Sequence, residues 1–143
     1  MGLDEIYTTL IMEESRSTHN KRDLEEPTYK ELGHNPSCGD EITLQIKMKG
    51  DVLEDLSYSG IGCAISQAST SIMIDTVRGK TRSEAVAMAD TFINMIKGVS
   101  LTEEEEDALE DAMAFQGISK LPARVKCAVL PWYTLKNIME GEK

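Results

Sequence analysis

The sequence predicts an α+β domain, a small antiparallel β-sheet packed on one face by helices. Three observations predict it. The segment Ile42 to Lys49 alternates apolar and polar residues strictly, as a half-buried strand does, and Val52 to Tyr58 follows it across the turn Gly50-Asp51. The segments after this hairpin carry helical spacing and helix-capping residues. The chain has 143 residues, 41% hydrophobic and 28% charged, which is enough for one domain, residues 1–143, with a real core and no disulfide staples.

In chain order, Leu3 to Arg16 reads as an amphipathic helix, with Leu3, Ile6, Tyr7, Leu10 and Ile11 at helical spacing. Asp4 and Glu5 fall in its first turn, where the helix dipole favours acids. Ser17 to Lys30 is polar, aperiodic and contains Pro27, so it reads as a loop, and His19 within it as a solvated side chain. Glu31 to Asp40 is punctuated by Gly33, Pro36 and Gly39, and the signal for a third strand before Cys38 is weak. After the hairpin, Ser59-Gly60-Ile61-Gly62 ends the sheet.

Cys63 then precedes a helix from Ala64 to Arg78, stopped by Gly79. Ser66, Ala68, Ser69, Thr70 and Ser71 make its start small, so that another backbone can approach. Thr81 or Ser83 caps a second helix, from about Glu84 to Lys97. Thr102-Glu103-Glu104-Glu105 is a capping box for a third, running to about Phe115 and stopping near Gly117. Pro122 lies in the basic stretch Ser119 to Lys126, and Cys127 opens a last helix that reaches about Met139. Pro131 sits in that span, and a first-turn proline sacrifices no hydrogen bond, so the helix is expected to begin close to Cys127. Met48, Met73, Met88 and Met95 fall on apolar faces and read as core filler.

Charge and targeting signals narrow the function. The net charge of −10 repels phosphate backbones, which argues against nucleic acid as a partner. No apolar run approaches the length of a membrane span, so no membrane association is expected. The N-terminus carries acids where a signal peptide needs bases, and Ile6 stands where a myristoylation motif needs Ser or Thr. A cytoplasmic location is the expectation.

Three cysteines, none in a C-x-x-C pair, leave burial, reactivity or metal binding as explanations in a reducing compartment. Cys38 lies in a Pro- and Gly-flanked turn, Cys63 directly before a helix, and Cys127 at the expected start of another. Helix N-termini favour thiolate, the form that binds metal and attacks sulfur, and Arg124 and Lys126 add positive charge beside Cys127. Asp40 stands two residues from Cys38 across Gly39. Cys38, Asp40, Cys63 and Cys127 together offer three sulfurs and one carboxylate oxygen, the ligand number that zinc prefers. A carboxylate among thiolates suggests a site built to open. On the residues alone, buried inert cysteines and a turn-capping Asp40 stay as alternatives.

Three blocks carry a resemblance: Asn35-Pro36-Ser37-Cys38-Gly39-Asp40, Gly60-Ile61-Gly62-Cys63-Ala64-Ile65-Ser66-Gln67-Ala68-Ser69, and Val125-Lys126-Cys127. In this order, each with one cysteine, they resemble the U-type iron–sulfur cluster assembly proteins, the IscU/SufU family. The resemblance implies the NifU N-terminal/IscU-like fold over most of the chain. The scaffold branch has His where this chain has Lys126, and a Leu-Pro-Pro-Val-Lys chaperone segment where this chain has Leu121-Pro122-Ala123-Arg124-Val125-Lys126. Residues 97 to 116 look like a helical insertion relative to that branch. All three features are similar to the SufU branch.

That branch implies a zinc-dependent sulfurtransferase, taking persulfide sulfur from a SufS-like cysteine desulfurase and passing it to a downstream iron–sulfur scaffold or apo-protein. Cys38 is then the persulfide acceptor, with Arg124 steadying the freed thiolate or Asp40. The alternative is a scaffold on which Cys38, Cys63 and Cys127 hold a transient iron–sulfur cluster, with Asp40 as the labile ligand.

Overall fold

The computed structural model describes residues 3–35 and 39–141. Its elements are α1 (Leu3–Arg16), β1 (Tyr29–Asn35), β2 (Asp40–Lys49), β3 (Val52–Ile61), α2 (Ala64–Val77), α3 (Arg82–Ile96), α4 (Glu103–Leu109), a 3-10 segment (Glu110–Lys120) and α5 (Pro122–Gly141). The strands form one antiparallel sheet in the order β1-β2-β3. Among the described residues no helix is long and apolar enough to cross a membrane.

The alternation in β2 does what its period of two requires. Ile42, Leu44 and Ile46 are fully buried on the face turned to the helices. In β3 the buried apolar residues are Leu53, Leu56 and Tyr58, and the first pair is three apart. A register shift explains this: Lys47 pairs with Asp55 but Met48 with Leu53, leaving Glu54 as an extra residue that switches the parity of the strand. The two-residue turn has Gly50 at φ 62°, a left-handed position that glycine occupies without steric cost.

The opposite face of the sheet is partly covered. Gln45 and Ser57, paired across β2 and β3, are buried there. Gln45 is held by the loop before β1: the Leu24 N–H donates to Gln45 Oε1 and Gln45 Nε2 donates to Asp23 Oδ1, both at 3.1 Å. The loop therefore packs instead of floating, and its last two residues belong to β1, the strand whose signal is weakest. Leu32, Gly33 and Asn35 pair with Thr43, Ile42 and Asp40. Gly33 is obligatory in a different sense from the turn glycines, since a Cβ there would come within 2.1 Å of Thr134 Oγ1 on α5.

Helices α2 and α5 pack on the sheet and on each other, with α1 against α2 and α3 against α5. The small residues of α2 permit the close approach: Ser69 Oγ donates to the Ala128 carbonyl at 2.6 Å and accepts from Trp132 Nε1 at 3.0 Å. Trp132, fully buried, stacks on Phe92 of α3 with ring centroids 4.3 Å apart, and Phe115 meets Phe92 edge-on at 5.9 Å. Met73, Met88 and Met95 are buried and Met48 packs partly buried beside them, as core filler should. Thr81 and Thr102 each close a full capping box, with Glu84 and Glu105.

Two expectations are corrected. The helix from Thr102 does not run smoothly to Phe115. It ends at Leu109, Glu110 takes φ 50°, and the chain continues as the 3-10 segment through Gly117 to Lys120. A non-glycine residue at positive φ costs roughly 1–2 kcal/mol. The change of pitch brings Ala112, Ala114, Phe115 and Ile118 into the core, and their burial offsets it. The last helix does not begin at Cys127 but at Pro122, five residues earlier. Pro122 is the first-turn proline, and Pro131 lies inside the helix at a cost of about 3 kcal/mol. Burial of Ala128, Trp132, Leu135, Ile138 and Met139 from the same helix exceeds that cost.

Candidate metal centre

One end of the sheet, where β2 begins and β3 ends, meets the second turn of α5. Asp40 is the first residue of β2, paired with Asn35 of β1. Gly39 before it takes φ 73°, which suits glycine and turns the chain into the strand. Two residues beyond β3, Cys63 is the N-cap of α2, at φ −71° and ψ 169°. Cys127 comes from the interior of α5 and is fully buried, so it does not sit at a helix N-terminus as its spacing from Pro131 suggests.

These three residues, far apart in sequence, converge. The carboxylate of Asp40 and the sulfurs of Cys63 and Cys127 offer ligand atoms that all lie within 4.8 Å of one another. Asp40 is only 4% exposed, Cys127 is buried, and Cys63 is half-buried, so the group opens to solvent on the Cys63 side. Neither Cys63 nor Cys127 is joined in a disulfide. Cys38, the fourth predicted ligand, lies outside the described residues.

The local hydrogen bonds aim the carboxylate. The Cys63 N–H donates to Asp40 Oδ1 at 3.1 Å, and the Cys63 thiol lies 3.7 Å from Oδ2. Gly62 leaves the space: a Cβ there would come 2.3 Å from Ser66 Oγ and 3.4 Å from the Asp40 carboxylate. Ser66 Oγ donates to the Cys63 carbonyl at 3.2 Å and sits 4.0 Å from the Cys63 sulfur. Gln67 Nε2 donates to the Gly62 carbonyl at 2.8 Å, and Lys21 reaches the Gln67 side chain. Ser66 and Gln67 are thus supports that their small or polar character alone does not reveal. Their places three and four residues after the cap are the signal.

A buried carboxylate beside two thiols suits a cation. Soft sulfur and one oxygen are ligands zinc accepts, and the cradle kept open by Gly62 is consistent with an ion between them. Arg124 is exposed on the first turn of α5, one turn before Cys127, and Lys126 is exposed beside it.

His19, read from sequence as a solvated side chain, is exposed, and it is also paired. Its Nε2 lies 3.0 Å from Asp75 Oδ2 and 3.6 Å from Glu14 Oε2.

The model of the family described as "NifU-like N terminal domain" matches residues 6–128 of this chain. The zinc-dependent sulfurtransferase SufU of Bacillus subtilis (strain 168) is 39% identical over 144 residues, covering 99% of this chain and 95% of that one. The iron–sulfur cluster assembly scaffold protein IscU of Streptococcus pyogenes serotype M1 is 37% identical, covering 96% and 85%. Among solved structures, FiSufU from thermophilic Fervidobacterium islandicum AW-1 superposes with a TM-score of 0.86 at 40% identity, covering 94% of this chain and 97% of that one. The N-terminal part of a nitrogen-fixing NifU-like protein from Brucella abortus gives 0.83 at 26% identity, covering 99% of both.

Proposed function

Because the chain belongs to the family of NifU-like N-terminal domains, we propose that it serves iron–sulfur cluster assembly as a zinc-dependent acceptor of persulfide sulfur. The donor is a cysteine desulfurase of the SufS type, and the recipient a downstream iron–sulfur scaffold or apo-protein, in the cytoplasm. The observation that carries this reading is the convergence of Asp40, Cys63 and Cys127 on one end of the sheet.

Zinc would be held by Cys38, Asp40, Cys63 and Cys127, and when bound it keeps thiols deprotonated and shields them from oxidation. The rest is done by the chain's own residues. Cys63 caps α2 and Cys127 is buried in α5, so each is tied to a helix. That leaves Cys38 as the acceptor. Its thiolate attacks the terminal sulfur of the desulfurase persulfide, a new S–S bond forms on Cys38, and the partner's cysteine leaves as thiolate. One sulfur atom moves and no net oxidation occurs. Asp40 is held beside the Cys63 sulfur by the Cys63 N–H. Arg124, exposed at the start of α5, would steady a freed thiolate or Asp40. The stretch 97–116, which includes α4 and part of the 3-10 segment, is a helical insertion relative to the scaffold branch.

The experiment is desulfurase turnover on cysteine with and without the zinc-loaded protein under reducing conditions. Strong stimulation that vanishes in Cys38→Ser is expected, and in a run without reductant a mass gain of one sulfur on the wild-type chain. A Cys38→Ser protein that still accepts sulfur overturns the acceptor assignment.

A second reading is the scaffold. Three thiolates and a carboxylate also suit a transient iron–sulfur cluster as cargo, and the relative from Streptococcus pyogenes carries that name at 37% identity. Here Lys126 stands where the scaffold branch has His. A stable visible chromophore after reconstitution with iron and sulfide, with no stimulation of the desulfurase, is the outcome that favours it.

A further inference from the structure

We propose that Gln67, oriented by Lys21, is a positioning residue of the thiol centre. It pins the peptide unit between Gly62 and Cys63 from the side opposite Asp40, and so sets where the Asp40 carboxylate stands beside the Cys63 sulfur. What this means for zinc rests on the reading of the centre proposed above.

One planar peptide unit carries both bonds. Its carbonyl belongs to Gly62 and accepts from Gln67 Nε2 at 2.8 Å. Its N–H belongs to Cys63 and donates to Asp40 Oδ1 at 3.1 Å. In a trans peptide these two groups point in opposite directions, and the unit turns as one body. A bond at each end therefore stops a rotation that a bond at one end would allow. The rotation is otherwise easy here, because Gly62 has no side chain to resist it and lies just past the end of β3 at Ile61. Turning the unit points the Cys63 N–H away from Asp40. With it goes the bond that holds Asp40 Oδ2 3.7 Å from the Cys63 sulfur.

The direction of the Gln67 amide is itself imposed. Lys21 Nζ donates to Gln67 Oε1. An ammonium has donors only, so the amide oxygen must face Lys21, and the amide nitrogen is left for the Gly62 carbonyl. The reverse orientation sets N–H against ammonium and oxygen against carbonyl. Gln67 stands in the first turn of α2, and its backbone N–H donates to the Cys63 carbonyl at 3.1 Å. The same residue thus returns to the start of the helix by backbone and by side chain.

Lys21 is in turn well placed to hold that direction. Its Nζ lies 5.7 Å from the centroid of the buried Tyr58 ring. The residues on either side tie the loop to β3: the Asn20 carbonyl accepts from the Tyr58 N–H at 2.9 Å, and Arg22 grips Asp55 by two bonds, at 2.9 and 3.2 Å. A continuous path runs from the loop before β1, through Lys21 and Gln67, to the peptide before Cys63 and to Asp40. Groups that orient ligands in this way govern how firmly a metal is kept.

The test is amide hydrogen exchange at Cys63 in the metal-free full chain, followed by NMR, beside chelator competition for zinc on the loaded chain. Gln67→Glu keeps an acceptor for Lys21 but puts an oxygen against the Gly62 carbonyl, so it strikes the peptide unit without loosening the loop. Exchange at the Cys63 N–H is expected to quicken at least about fivefold, the net effect of one hydrogen bond. Zinc affinity is expected to fall about tenfold. Lys21→Met should change both in the same direction, and Lys21→Arg should restore them; an Arg variant no better than Lys21→Met overturns the part given to Lys21. Circular dichroism reports that each variant is folded. Thr81→Ala removes a cap of α3 beside Val52, at the far end of β3, so it should lower the thermal midpoint and leave both readouts unchanged. Wild-type exchange at Cys63 in folded Gln67→Glu, or equal acceleration in Thr81→Ala, overturns the proposal. A wild-type chain that binds no zinc overturns the reading of the centre instead, and exchange at Cys63 still decides the role of Gln67.

Discussion

The backbone N–H of Cys63 donates to Asp40 Oδ1 at 3.1 Å, so the first residue of β2 caps the approach to α2. The carboxylate satisfies the N-cap N–H, the donor that Glu84 and Glu105 satisfy in the capping boxes of α3 and α4, while Cys63 itself makes no side-chain cap bond. It also holds Asp40 within reach of two thiols, and so one bond joins the folding of a helix start to the assembly of the centre.

Removing that carboxylate separates the candidate roles of the centre. Asp40→Ala is expected to weaken zinc retention at least about tenfold, measured by chelator competition, and to abolish desulfurase stimulation. A variant that loses stability but stimulates normally would make the metal purely structural.

Gly62 should not tolerate a side chain. Gly62→Ala places a Cβ 2.3 Å from Ser66 Oγ and 3.4 Å from the Asp40 carboxylate. The expected cost is about 1–3 kcal/mol in urea unfolding, together with faster loss of zinc. Gly117→Ala, with nothing within 4 Å of its added Cβ, is the control that should leave zinc retention unchanged.

Ser69 links α2 to α5 through the Ala128 carbonyl and Trp132 Nε1. Ser69→Ala leaves both groups buried without that partner, a loss of about 1–3 kcal/mol. Thermal unfolding should fall by several degrees, roughly 2–4 °C per kcal/mol, and the near-ultraviolet signal of Trp132 should change.

Acid should weaken the fold partly through Asp55. The hydrogen bond from Arg22, aided by Leu56 N–H and Arg78, holds its carboxyl below the ordinary 3.8 despite partial burial. A lowered folded value stabilises the native state above 3.8, and that contribution disappears as pH falls through the lower value. Asp55→Asn is expected to be less stable than wild type near pH 6, with the gap closing below about pH 4 in urea titrations. A gap constant with pH would show that packing, not charge, is what Asp55 contributes.

The hairpin β2-β3, the helices α1, α2 and α3 and the capping box at Thr102 were legible because each is written locally: a period of two or 3.6, and a Thr three residues before a Glu. β1 was nearly silent, since a strand of Tyr-Lys-Glu-Leu-Gly-His-Asn takes its hydrogen bonds from β2 and declares little by its own pattern. The kink at Glu110 and the early start of α5 were illegible for a related reason. Both are local costs accepted because core side chains elsewhere gain more by burial.

By itself the sequence determined which residue types are available to the centre, and in which order: a carboxylate after Gly39, a cysteine after Gly62, a cysteine after Lys126. Local backbone rules also placed Cys63 at a helix start. Only the tertiary structure decided that Asp40, Cys63 and Cys127 share one end of the sheet, that Cys127 is buried inside its helix, and that His19 meets Glu14 and Asp75. Ligand geometry depends on packing between elements dozens of residues apart, and side-chain periodicity carries information only about the face of each element.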